Sequence, residues 1–211
     1  MSEQAHSSRQ GAASTPRAAV AGVLLDRDGT VCTEVGYVNH VSRCSLLPRS
    51  AEAIRTLNEA HWPVAIVTNQ AGVARGYFDE AMILAVHERV RTLLAEHGAR
   101  VNAIYYCPHH PMAGEPPYRS ECGCRKPKPG MVLRAAKDLG LDLSRSFMVG
   151  DSARDVQAAL AAGVTPVLVM TGYGRGEWEH QRGRFPTPPA HVADDLLDAV
   201  RWILDHREKH S

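Results

Sequence analysis

Short, nearly continuous apolar runs alternate along the chain with stretches whose apolar positions recur every three or four residues. The first kind reads as a strand buried on both faces and the second as an amphipathic helix. AVAGVLL (19–25) predicts a first strand, stopping at DRDGT. PRSAEAIRTLNEA (48–60) predicts a helix with Ser50 as its N-cap, and PVAIVTN (63–69) a second strand. FDEAMILAVHERVRTLLAEHG (78–98) predicts a helix opened by Asp79 and closed at Gly98, before the strand VNAIYYC (101–107). PGMVLRAAKDLG (129–140) starts with a Pro suited to a first helical position and ends in Gly. SFMVGD (146–151) and TPVLVMTG (165–172) are strands flanking the helix ARDVQAALAAG (153–163). ADDLLDAVRWILDH (193–206) is a closing helix, and 173–190 reads as a loop.

Strand–helix alternation with uniformly apolar strands predicts an α/β fold. It is a single Rossmann-like three-layer domain, with helices on both faces of a central parallel sheet. Right-handed crossovers put every strand C-terminus at one edge, where such folds bind ligands. The intervals between strands leave no room for a large cap domain. Residues 1–18, rich in Ser, Ala, Gly and Gln, are expected to form a disordered tail, and 19–211 one domain.

Composition narrows the function classes. The 211 residues are 44% hydrophobic and 22% charged, ordinary values for a globular chain. A formal net charge of +1 offers no global attraction to nucleic acid or to an anionic membrane. No apolar run reaches membrane-spanning length, and the N-terminus has no signal-peptide core. A cytoplasmic monomer acting on a small molecule is the expectation. The cysteine count is odd, at five, and three of them cluster with histidine, which favours metal over disulfides. Cys32 and Cys44 read as unpaired buried thiols.

Three strands end in residues able to do chemistry. Asp26 and Asp28 end the first, two apart, and a side-by-side carboxylate pair calls for a nearby cation. Asp151 ends the fourth strand and can complete an all-oxygen site of the kind Mg²⁺ accepts. Thr68 and Asn69 end the second strand with a hydroxyl and a backbone N–H for an anionic oxygen, and Lys126 adds a point charge suited to phosphate. A nucleophile, an acid/base group, Mg²⁺, a cation and polar donors together describe phosphoryl transfer.

LLDRDGT, VTNQ, Lys126 and MVGDSARD resemble the four motifs of the haloacid dehalogenase superfamily. With GYV, TNQAGVARGYF, YYCPHHP and CGCRKPKPG added, residues 20–172 are similar to its D-glycero-D-manno-heptose 1,7-bisphosphate 7-phosphatase family. That resemblance implies Asp26 as nucleophile, forming an aspartyl-phosphate, and Asp28 as acid/base. It implies Mg²⁺ on Asp26, the Asp28 carbonyl and Asp151, with Asp155 supporting the site from behind. Thr68, Asn69 and Lys126 would hold the phosphoryl group. Arg75 and Arg125 would contact the second phosphate or the sugar of a sugar bisphosphate. Arg27, Glu34, Tyr37 and Gln70 belong to the same substrate-binding set. Two positions depart from the family pattern: Ser152, where Lys is frequent, removes a positive charge, and Ala71 replaces a polar residue. Three rivals share parts of this pattern. A histidinol-phosphate phosphatase has similar motifs. A phospho-acceptor signalling domain has the acceptor Asp, Mg²⁺, Thr and Lys, but needs neither Asp28 nor the cysteine cluster. A zinc-ribbon nucleic-acid binder is disfavoured by the neutral charge.

Cys107, His109, Cys122 and Cys124 give C-x-H-x12-C-x-C. Three thiolates and an imidazole make a closed tetrahedral Zn²⁺ site, with no position left for a reactive water. His110 is the alternative imidazole, and the family pattern favours His109. The expected zinc-bound loop is a staple that places Arg125 and Lys126, which follow Cys124 directly.

Overall fold

A computed structural model describes residues 19–208. The expected tail at 1–18 lies outside the described residues. Six strands form one parallel sheet: β1 (Val23–Leu25), β2 (Val64–Asn69), β3 (Ala103–Cys107), β4 (Phe147–Gly150), β5 (Thr165–Val169) and β6 (His191–Ala193), in the order β3-β2-β1-β4-β5-β6. The helices are α1 (Ser50–Glu59), α2 (Glu80–Glu96), α3 (Gly130–Leu139), α4 (Ala153–Ala162), α5 (Gly174–His180) and α6 (Leu196–Glu208).

The period-2 alternation of strand side chains divides the core into two layers. Val23, Leu25, Val64, Ile66, Phe147 and Val149 face one layer with Ile54 and Leu57 of α1, Val86, Val90 and Leu94 of α2, and Val200 and Ile203 of α6. Leu24, Ala65, Val67 and Met148 face the other, against Met131 and Val132 of α3 and Ala158 and Ala159 of α4. Each such fully buried Leu or Val is worth about 1.5–3 kcal/mol relative to exposure. Burial on both faces is why these strands read as continuous apolar runs. Among the described residues no cap domain stands over the sheet edge, and no helix is long and apolar enough to cross a membrane.

Most expected elements are present, with ends trimmed by a few residues. Asp79 caps α2 by accepting from the Met82 N–H, and Gly140 and Gly163 close α3 and α4 in left-handed conformations. Ser50 is not a cap: Arg49 precedes α1, and the buried Ser50 hydroxyl donates to the Val31 and Leu47 carbonyls. Pro129 likewise sits just before α3 rather than inside it.

The largest correction concerns 173–190, which is not a loop. It contains α5 and a short 3-10 helix (Arg182–Arg184), and it leads to the unexpected strand β6. The glycines at 174 and 176 weaken the helical signal, but tertiary contacts override propensity. The buried Glu177 carboxylate accepts from the Ala153 N–H at 2.7 Å and pairs with Arg184, so α5 braces the start of α4.

Candidate active site

The C-terminal ends of β1, β2 and β4 open into a crevice of about 200 Å³ that Asp26, Asp28, Thr68, Asn69, Lys126 and Asp151 all line. Lys126 is buried at its floor. Its Nζ donates to the Val67 carbonyl at 2.8 Å and ion-pairs with Asp26 Oδ1 at 2.9 Å and Asp155 Oδ1 at 2.7 Å. Asn69 fixes the Lys126 backbone from both sides: Oδ1 accepts its N–H at 3.0 Å and Nδ2 donates to its carbonyl at 3.0 Å. The Asn69 side chain therefore holds the lysine loop and leaves only its backbone for an incoming anion.

Asp26 Oδ1 also accepts the Arg27 N–H at 2.7 Å, which leaves Oδ2 with no protein donor among the described residues. Asp151 presents the same arrangement. Its Oδ2 accepts the Tyr173 N–H at 2.8 Å, and Oδ1 is unengaged. Asp155 is different, because its Oδ2 takes both the N–H and the hydroxyl of Ser152 (3.1 and 2.6 Å) while Oδ1 takes Lys126. It completes the three-carboxylate cluster with Asp26 and Asp151, but from behind. Ser152, where the family often has Lys, is thus the buried cap of α4.

Burial pushes the Asp26 carboxyl up to about 7, against the pull of Lys126. Burial, then the neighbouring Asp26, pushes Asp151 up to about 9. Asp26, Asp28, Glu34, Asp151 and Asp155 face only Arg125, Lys126 and Arg154 around the crevice. The Asp26, Asp151 and Asp155 carboxylates, each offering an oxygen within 4.8 Å of the others, suit a hard divalent cation.

Asp28 is held by three donors: Arg27 Nε at 3.0 Å, Arg27 NH2 at 2.8 Å and Gln70 Nε2 at 2.9 Å. Two site expectations are corrected by these contacts. Arg27 is only 1% exposed and turned into the protein, so it grips Asp28 and does not face a substrate. Gln70, also buried, spends its amide on Asp28 and on Thr68 Oγ1 at 2.9 Å. Arg75 is placed differently from the other expected residues. It is exposed, lies outside the crevice lining, and reaches His110 Nε2 at 3.3 Å. Glu34, Tyr37 and Arg125 do line the crevice, as does Ala71. Arg154, within MVGDSARD, and Tyr173 line it too, and neither was among the expected site residues.

Cys107, His109, Cys122 and Cys124 converge beside this crevice. The three sulfurs lie 3.0–3.5 Å apart, and His109 Nδ1 is 3.7 Å from Cys107 and 3.5 Å from Cys124. His110 is excluded as the fourth donor, since its Nδ1 accepts the Met112 and Ala113 N–H groups. Four such donors form a closed metal-binding set, and Arg125 NH1 donates back to the His109 carbonyl at 3.2 Å.

A doubly wound parallel sheet with this carboxylate and lysine constellation beyond its central strands defines a HAD-type hydrolase. A HAD-hydrolase-like family model matches residues 123–199. The D-glycero-D-manno-heptose-1,7-bisphosphate 7-phosphatase of Thermosynechococcus vestitus is 41% identical over 192 residues, covering 87% of this chain and 95% of that one. The D-glycero-beta-D-manno-heptose-1,7-bisphosphate 7-phosphatase of Pseudomonas putida is 44% identical over 183 residues, covering 86% and 98%. The crystal structure of the D,D-heptose 1,7-bisphosphate phosphatase from B. bronchiseptica, complexed with magnesium and phosphate, superposes with a TM-score of 0.78 at 39% identity over 89% of this chain and 99% of that one. The chain belongs to the D-glycero-D-manno-heptose 1,7-bisphosphate 7-phosphatase family of the haloacid dehalogenase superfamily.

Proposed function

We propose that the protein is a Mg²⁺-dependent phosphatase that removes the 7-phosphate of D-glycero-D-manno-heptose 1,7-bisphosphate, with Zn²⁺ as a structural metal. The observation that carries this reading is Asp26 at the end of β1, one oxygen fixed by Lys126 and the Arg27 N–H, the other free in the crevice. Family membership supplies the substrate. The proposed domain runs from residue 19, and the proposed state is a monomer. A cytoplasmic setting fits, because reduced thiols are what a metal-binding cluster needs.

Asp26 Oδ2 attacks phosphorus and the bond to the sugar oxygen breaks. Asp28 gives that oxygen its proton, so the alcohol leaves and Asp26 carries the phosphoryl group. Asp28 then takes a proton from water as the water oxygen attacks phosphorus, which frees Asp26 and inorganic phosphate. The two Arg27 contacts and Gln70 Nε2 hold the Asp28 carboxyl in place for both steps. Thr68 Oγ1 and the Asn69 N–H would hold the phosphoryl oxygens. Lys126 orients Asp26 and offsets its charge.

The Asp26 and Asp151 carboxylates would hold Mg²⁺, with the Asp28 carbonyl as third ligand. The ion would neutralise charge on the phosphoryl oxygens. Gly172 and Gly29 guard this geometry. A Cβ on Gly172 would fall 2.0 Å from Asp151 Oδ2 and 2.7 Å from the Gly29 Cα, so Asp151 would have to move. Gly172→Ala is therefore expected to raise the Mg²⁺ concentration for half-maximal activity about 10-fold or more. An unchanged Mg²⁺ titration would rule out this account of Asp151.

The substrate is tested by phosphate release with Mg²⁺ from both heptose bisphosphate anomers, histidinol phosphate and fructose 1,6-bisphosphate. A dominant kcat/KM for one heptose anomer is expected. Preference for histidinol phosphate would overturn the substrate but leave the chemistry of Asp26 intact.

A further inference from the structure

Few cations around the crevice are left for a ligand. Lys126 is buried on the Val67 carbonyl and ion-paired with Asp26 and Asp155. Arg27 is committed to Asp28 inside the protein, and Arg75 stands outside the lining beside His110. Arg125 lines the crevice and uses only NH1, on the His109 carbonyl. Arg154, the second residue of α4, lines the same crevice half-buried, and makes no ion pair or hydrogen bond among the described residues.

We infer that Arg125 and Arg154 together form the site for the phosphate that is not transferred, with Arg154 as a specificity-determining residue. Two guanidiniums facing one cavity without carboxylate partners repel, and a dianion between them removes that repulsion. Both guanidiniums line the one crevice. Glu34 and Tyr37 line the same crevice as Arg154. A planar fork with several donors suits a phosphate monoester better than a sugar hydroxyl. The two anion subsites are then of different kinds. The reacting phosphate meets the Asp26, Thr68 and Lys126 end, and the other meets an arginine pair.

This inference rests on a bisphosphate being the substrate. Its test compares kcat/KM for the heptose 1,7-bisphosphate with that for the 7-phosphate monoester lacking the 1-phosphate, in wild type, Arg154→Gln and Arg154→Lys. The ratio cancels any loss of folded enzyme. The wild type should favour the bisphosphate. Arg154→Gln should cut that preference about 10- to 100-fold, with Arg154→Lys between. A wild-type ratio kept by Arg154→Gln overturns the arginine site alone and leaves the bisphosphate substrate standing. A wild-type ratio near one overturns the inference while leaving a phosphatase. Hydrolysis of neither compound overturns both readings.

Discussion

Asp26→Asn should lower phosphate release by about 1,000-fold or more while leaving a folded protein. The amide matches the carboxylate in shape, so the Lys126 Nζ and Arg27 N–H contacts to Oδ1 keep an acceptor. Asn lacks the electron-rich oxygen that must bond to phosphorus. Stability should change little. Buried Asp26 already carries a carboxyl pushed up to about 7 by desolvation, and it crowds Asp151 and Asp155. Removing its charge relieves that crowding, while Lys126 keeps Asp155 and the Val67 carbonyl. The measurement is kcat alongside thermal melting. A melting temperature near wild type with a collapse of kcat identifies a nucleophile. More than a tenth of wild-type kcat at Mg²⁺ saturation would show that Asp26 does not carry the chemistry.

Asp26 and its partners were legible because each belongs to a strand end, where one short motif contains both the apolar run and the reactive residue. Asp26, Thr68, Lys126 and Asp151 meet in the crevice because parallel order brings those ends to one edge. The residues between them were misread. Arg27 lies between Asp26 and Asp28, and the alternation that aims those two at the crevice turns Arg27 inward. That period was visible in DRD and could have moved Arg27 out of the substrate set. Gln70 and Arg75 were placed by motif proximity alone, and their roles depend on the long-range partners Asp28 and His110. Arg154 carried a weaker signal, a free cation one residue before Asp155 in the opening turn of α4. Glu177 carried none, since a glycine-flanked carboxylate becomes a helix brace only when Ala153 is folded against it.

Cys124→Ala is expected to release the zinc, lower the melting temperature by about 10 °C, and reduce kcat/KM chiefly through KM. Cys124 Sγ sits within 3.0–3.5 Å of the other three donors, so its loss opens the whole set. The effect on activity divides according to what holds each cation. Lys126 is anchored by Asn69 through its own N–H and carbonyl, independently of the zinc loop. Its grip on Asp26 should survive, and kcat with it. Arg125 is oriented by the His109 carbonyl, inside the loop that the proposed Zn²⁺ would close. Its fork would lose direction, weakening the hold on the distal phosphate by about 10-fold. Metal analysis, melting and steady-state kinetics on one preparation separate these effects. A zinc-free variant with wild-type KM would end the idea that the cluster positions Arg125. A collapse of kcat at unchanged KM would instead place the zinc loop's influence on Lys126, against the Asn69 anchor.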